Sequence, residues 1–137
     1  MTKRKPRTAQ TTQTTQTTQT TQAEEASVRA GGQLPGYVWS AAHDAPAHEI
    51  FPGIRVRALW SGGNGAKAQL LEMDPHTCWE GIDVHEPGPE EVFVVSGVFN
   101  GGQRDYPTGS FIHAPAGSWH IPQTTSGCTL FVFYPEG

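Results

Sequence analysis

The stretch Gly109-Ser110-Phe111-Ile112-His113-Ala114-Pro115-Ala116-Gly117-Ser118-Trp119-His120 decides the fold of this 137-residue chain. A β-rich run from Ser110 to His113 enters a proline-glycine turn and comes back carrying a histidine. Proline fixes φ and glycine tolerates positive φ, so the reversal is tight and His120 is set at the head of the returning segment.

The surrounding sequence has the same punctuated character. Sixteen glycines and eleven prolines divide it into short runs, and no helical periodicity interrupts them. Ile54 to Trp60 alternates, with Ile54, Val56 and Trp60 on one face and Arg55 and Arg57 on the other. Ala66 to Met73 forms a second strand, joined to the first by the glycine-rich turn Ser61-Gly62-Gly63-Asn64-Gly65. Glu91 to Phe99, Ser110 to His113 and Thr129 to Tyr134 supply further strands, with turns at Asn100-Gly101-Gly102 and Ser126-Gly127. Many short strands with frequent turns predict an all-β barrel or jelly roll. Trp60, Phe93, Phe99, Phe111, Trp119, Phe131 and Phe133 are expected to pack inside it, Trp119 being the best placed to line a pocket instead.

Residues 1–32 read differently. Thr8 to Gln22 repeats TTQ and offers nothing to bury, so residues 1–32 are expected to be a disordered tail and residues 33–137 the folded domain. Lys3, Arg4, Lys5 and Arg7 precede every acidic residue, and the other five basic residues face all 13 acidic ones, leaving about −8 on the rest of the chain. That balance argues against a nucleic-acid partner, which needs clustered Lys and Arg. No apolar run approaches the roughly 20 residues of a membrane span, so a cytoplasmic protein is expected. Cys78 and Cys128 are read as reduced thiols.

Four residues carry the chemistry. Asp83 and His85 lie two apart and share a strand face, Glu90 follows after a Pro-Gly-Pro turn, and His120 comes from a separate hairpin. Two imidazoles with carboxylates on rigid strands suit one divalent ion: iron(II), manganese(II), zinc or nickel. Glu90 is preferred to Glu91 on its spacing from Gly97, but neighbouring strand residues face opposite ways and a bulge could exchange the two. Asp83 is read equally as a ligand, as a partner orienting an imidazole, or as a solvated turn residue. His113 lines a cavity mouth or sits on an outer face; His76 falls in a loop; His43 and His48 have no motif around them. Glu91 or His113 would serve as general base if either faced the cavity.

These segments resemble the cupin family. Gly109, Pro115, Gly117 and His120 fill the second cupin motif, with Thr124 where the family usually has Asn. The first motif maps onto Asp83, His85, Glu90 and Gly97, with Asp83 standing where the first His usually stands. PGPEEVFVVSGVF, RDYPTGSF, HAPAGSWH and GCTLFVFYPEG look most like the ChrR-like group, which includes the cupin domain of an anti-sigma factor; the resemblance runs from about Phe51 to Gly137. It implies a jelly-roll barrel of the RmlC-like type, a bound metal, a small-molecule ligand or substrate, and a homodimer paired through barrel edges. A dioxygenase-type enzyme and a noncatalytic sensor are both implied as functions.

Overall fold

The computed structural model describes residues 35–137; the expected tail lies outside the described residues. Eleven strands follow one 3-10 turn at Ala42–Asp44: β1 (Ala47–Phe51), β2 (Ile54–Ser61), β3 (Lys67–Met73), β4 (Thr77–Cys78), β5 (Asp83–Val84), β6 (Glu90–Asn100), β7 (Asp105–Pro107), β8 (Phe111–Ala114), β9 (Trp119–His120), β10 (Gln123–Thr124) and β11 (Cys128–Tyr134). One antiparallel sheet runs β1-β2-β3-β11-β6-β10-β4, with β7 and β8 also on β6, and β5 pairs with β9 in a second. The result is the predicted all-β jelly roll.

The 11-residue β6 organises the curl. Its first half pairs with β11 and β8, and its far end pairs with β7 and β10. The change of partner follows a register shift at Val95, which makes Ser96 oppose Thr129 and Val94 oppose Leu130. Such a bulge bends a strand and increases its twist. Alternation along β2, β3, β6 and β11 puts Ile54, Leu71, Met73, Val92, Val94, Phe99, Cys128, Leu130 and Val132 into one core.

Two expectations are corrected. Trp60 does not share the inner face with Ile54: a register shift at Leu59 places it opposite Ala68, on the outside. Of the seven aromatic residues expected inside, only Phe99 is buried with the core, whereas Phe93, Phe111, Trp119 and Phe131 are exposed. Strand β1 and the short strands β4, β7 and β10 were not foreseen, because so short a run shows no period.

Thr124 has a structural task. Its hydroxyl donates to the Val98 carbonyl (2.7 Å) and accepts from the Gly127 amide (3.0 Å), tying β10 to the turn before β11. Thr124→Val leaves both backbone groups without this partner, and about 2 kcal/mol of stability is expected to be lost in urea unfolding. Cys78 is exposed and Cys128 buried, both free; burial pushes the Cys128 thiol up to about 11, leaving it inert.

Candidate metal centre

The turn quoted at the outset holds the site together through backbone bonds. The Gly117 amide donates to the His85 carbonyl (2.7 Å) and the His85 amide to the Ser118 carbonyl (2.9 Å). Gly117 sits at φ 81°, the left-handed region that glycine enters without penalty. This clamp continues the β5–β9 pairing, in which Asp83 lies directly opposite His120. Glu90, the first residue of β6, arrives after the Glu86–Pro89 turn and points inward, only 4% exposed.

Asp83, His85, Glu90 and His120 therefore converge, with one donor atom from each inside 4.8 Å of the others. That is within a few tenths of an ångström of the span that two bonds of about 2.0–2.2 Å bridge. His120 Nε2 lies 3.0 Å from Asp83 Oδ2 and 3.8 Å from Glu90 Oε1, and His85 Nδ1 lies 3.3 Å from Glu90 Oε2. The two imidazole rings are 4.6 Å apart, and the edge of Phe99 supports His120 from behind.

Protein groups alone do not satisfy this cluster. His85 Nε2 is buried with no hydrogen-bond partner among the described residues. Burial lowers the His85 pKa, helped by the charge of His120. Burial also pushes the Glu90 carboxyl from its ordinary 4.5 up to about 7, against the pull of His120. A buried carboxylate that resists ionisation beside an imidazole that resists protonation is an environment a divalent cation relieves, since it favours exactly the charged carboxylate and the neutral imidazole.

Glu90 gives a pH dependence whose sign can be worked out. In metal-free protein its folded pKa lies above the unfolded value, so the folded state holds the extra proton and stability falls as pH rises from about 4.5 to about 7. Replacement by a neutral isostere removes that loss. Chelator-treated Glu90→Gln is expected to match the wild type near pH 4.5 and to exceed it at pH 8 by up to about 3 kcal/mol, at roughly 1.4 kcal/mol per pH unit. Equal unfolding midpoints at pH 8 would contradict this.

Glu91 and His113 take another place. They pair across β6 and β8 on the outer face, His113 Nδ1 to Glu91 Oε1 at 2.9 Å, so neither presents its side chain to the four-residue cluster as a base would need. His113 borders the cleft described below, yet its imidazole belongs to this outer pair. His76 lies in a loop at φ 60°, and His43 and His48 are exposed and remote from the cluster.

One neighbour of the cluster escaped the sequence reading. Tyr134, at the end of β11, is half-buried and lines the same small chamber as Glu90, its hydroxyl 3.5 Å from the Gln69 amide. It shares the inward parity of Leu130 and Val132, the only sequence signal for it. With Gln69 it closes a chamber of about 70 Å³ on the carboxylate side of the cluster. On the histidine side lies a cleft of about 710 Å³, walled by Phe99, Tyr106, Ile112, Trp119 and Ile121.

Among curated proteins nothing matches the chain. Solved structures match its fold. The complex of Rhodobacter sphaeroides SigE with the anti-sigma ChrR is similar at TM-score 0.59 and 22% identity over 68% of this chain, which spans 50% of the matched chain. A RmlC-like cupin from Shewanella frigidimarina is similar at TM-score 0.63 and 15% identity over 74% of this chain and 93% of its own. A putative dioxygenase from Nostoc punctiforme is similar at TM-score 0.59 and 20% identity, over 69% of this chain and 35% of its own. No helix among the described residues is long and apolar enough to cross a membrane. The model of the ChrR Cupin-like domain matches residues 37–136, and on that span the chain belongs to the ChrR cupin-like family.

Proposed function

We propose that this cupin holds one divalent ion through Asp83, His85, Glu90 and His120 and acts on a small, uncharged organic molecule taken from the cleft, as a metal-dependent oxidoreductase of dioxygenase type. The observation that carries the reading is the buried His85 Nε2, left without a partner inside a convergent set of two imidazoles and two carboxylates. Such a nitrogen-oxygen set suits iron(II), manganese(II), zinc or nickel. When bound, the ion supplies Lewis acidity and open positions for oxygen donors.

The rest follows from the chain's own residues. Asp83 and Glu90 together balance a divalent charge, and among the described residues no Lys or Arg is a wall of the cleft, Arg104 lying over the Tyr106 ring without lining it, which disfavours an anionic substrate. Phe99, Tyr106 and Trp119 offer apolar and aromatic walls for a molecule of modest size. Tyr134 lines the chamber beside the buried Glu90 carboxyl. In this reading the protein works in the cytoplasm as a homodimer, without nucleic acid or membrane as partner.

A second reading, a noncatalytic metal-bound sensor, is favoured by the family match. Elemental analysis of untagged protein and of His85→Ala separates the two. One equivalent of iron or manganese, lost in the variant, supports the enzyme and justifies an oxygen-consumption screen with neutral chelating substrates. One equivalent of zinc without turnover selects the sensor. Absence of metal from the wild type, even after reconstitution, overturns both.

A further inference from the structure

An antiparallel sheet with one face on the core ordinarily turns a polar face to water. The outer face of this sheet is different at its centre. The register sets Phe93 of β6 beside Phe111 of β8 on one side and Phe131 of β11 on the other, and Phe131 beside Leu70 of β3. Phe111 is 67% exposed, Phe93 44% and Phe131 36%, and Val95, 47% exposed, extends the patch along β6. Cross-strand aromatic neighbours add to sheet stability by roughly 0.2–1 kcal/mol a pair, which small polar-faced pairs achieve without exposing three rings.

We propose that this row is the face on which a second copy of the chain docks, sheet against sheet, to form a twofold homodimer. The inference names the surface for the pairing given above, and places it on a face instead of a barrel edge; it does not depend on the metal.

Area, charge and the composition of the tail all favour a second copy. At roughly 200 Å² per ring, the three phenylalanines alone leave about 300 Å² of surface in water. Val95 and Leu70 bring the patch to about 400 Å², within the range of about 300–600 Å² of the largest patch on a monomer and about half of the ~800 Å² each partner buries in a stable interface. The rim residues Ser96, Thr129 and His113 are available for the remainder. Flat faces of this kind pack about 10 Å apart with interleaved side chains.

Charged side chains near the row are engaged with neighbours on the same face. Arg57 pairs with Glu72, Arg55 makes two bonds to Asp74, and His113 pairs with Glu91. Two copies of an acidic chain repel when charged surfaces meet, and here they would meet on a row of Phe93, Phe111, Phe131, Leu70 and Val95 that carries no charge itself. The chain's own Thr8–Gln22 tract carries no side chain larger than Gln and none that is aromatic or branched aliphatic, so it has nothing to seat over the rings.

The experiment is sedimentation velocity on the full chain over a wide concentration range. The wild type is expected at twice the chain mass. Phe93→Lys should weaken dimerisation about a hundredfold or more, as loss of a central aromatic anchor does, with an unchanged circular dichroism spectrum. Phe111→Lys, at the most exposed ring, gives the same reading should Phe93→Lys fail to fold. Ile82→Lys, 53% exposed but off this face, serves as control and should stay dimeric. A monomeric wild type overturns the proposal, as does a dimer that survives both phenylalanine variants. Metal content, measured on the same samples, should not change in the variants, so failure of the interface and failure of the metal reading are told apart.

Discussion

His120→Ala is expected to lose its metal while keeping its barrel. His120 is the residue on which the cluster turns: its Nε2 faces both carboxylates, its ring stacks obliquely on His85, and its backbone pairs β9 with β5 opposite Asp83. Alanine keeps the β-strand pairing and removes the donor. Affinity should fall by more than about a hundredfold, since even residues that merely orient a ligand are worth 10- to 100-fold. Dialysed variant protein should hold less than a stoichiometric amount, measured by elemental analysis, while its far-ultraviolet spectrum is unchanged. Asp83→Ala calibrates the result. A loss comparable with that of His120→Ala makes Asp83 a ligand in its own right. A loss of only about tenfold makes it the group that orients His120 through the 3.0 Å contact. Retention of one equivalent by His120→Ala would remove the basis of the metal reading.

The four residues were legible because each sits beside punctuation that fixes its direction. Pro115 and Gly117 reverse the chain before His120, the Pro87-Gly88-Pro89 turn delivers Glu90, and the two-residue spacing of Asp83 and His85 points both one way. The choice between Glu90 and Glu91 stayed open on the sequence. Burial of Val92 and Val94 fixes the inner parity of β6, putting Glu90 at the cluster and Glu91 outside with His113.

What was not legible is what depends on distant register. Tyr134 and Gln69 reach the site from β11 and β3, 44 and 21 residues from Glu90 along the chain, and only sheet order brings them there. Alternation separates two faces of a strand, but it does not say that the outer one carries Phe93, Phe111 and Phe131 in a single row. A bulge hides even parity: one extra residue at Leu59 turns Trp60 outward, and the pattern Ile54, Val56, Trp60 gives no warning of it.

Gly97, the last residue of the first cupin motif, leaves β11 its place only by lacking a side chain, and Gly97→Ala is expected to be strongly damaging for so small a substitution. It lies at φ 75° directly after the bend of β6, opposite Cys128 of β11. An L residue there is strained by about 1–2 kcal/mol from backbone conformation alone. Space makes it worse. A Cβ would stand 2.1 Å from the Gly127 carbonyl oxygen and 2.8 Å from Cys128 Cα, both backbone atoms that cannot rotate away. Strand β11 would have to retreat, opening the contacts of Cys128 and Leu130 with the core and the bond from the Val98 amide to Gly127. Such overpacking typically adds about 1–3 kcal/mol, for a total near 2–5 kcal/mol. Against a domain stability of about 5–15 kcal/mol, that is a large part of the whole. Because β11 carries Tyr134 and β6 starts at Glu90, the same shift would loosen the four-residue cluster from a residue that touches none of it. Urea unfolding of metal-free Gly97→Ala should show the loss directly. A drop below about 1 kcal/mol would mean that the bend relaxes without moving β11, and that the motif glycine answers to something other than this close approach.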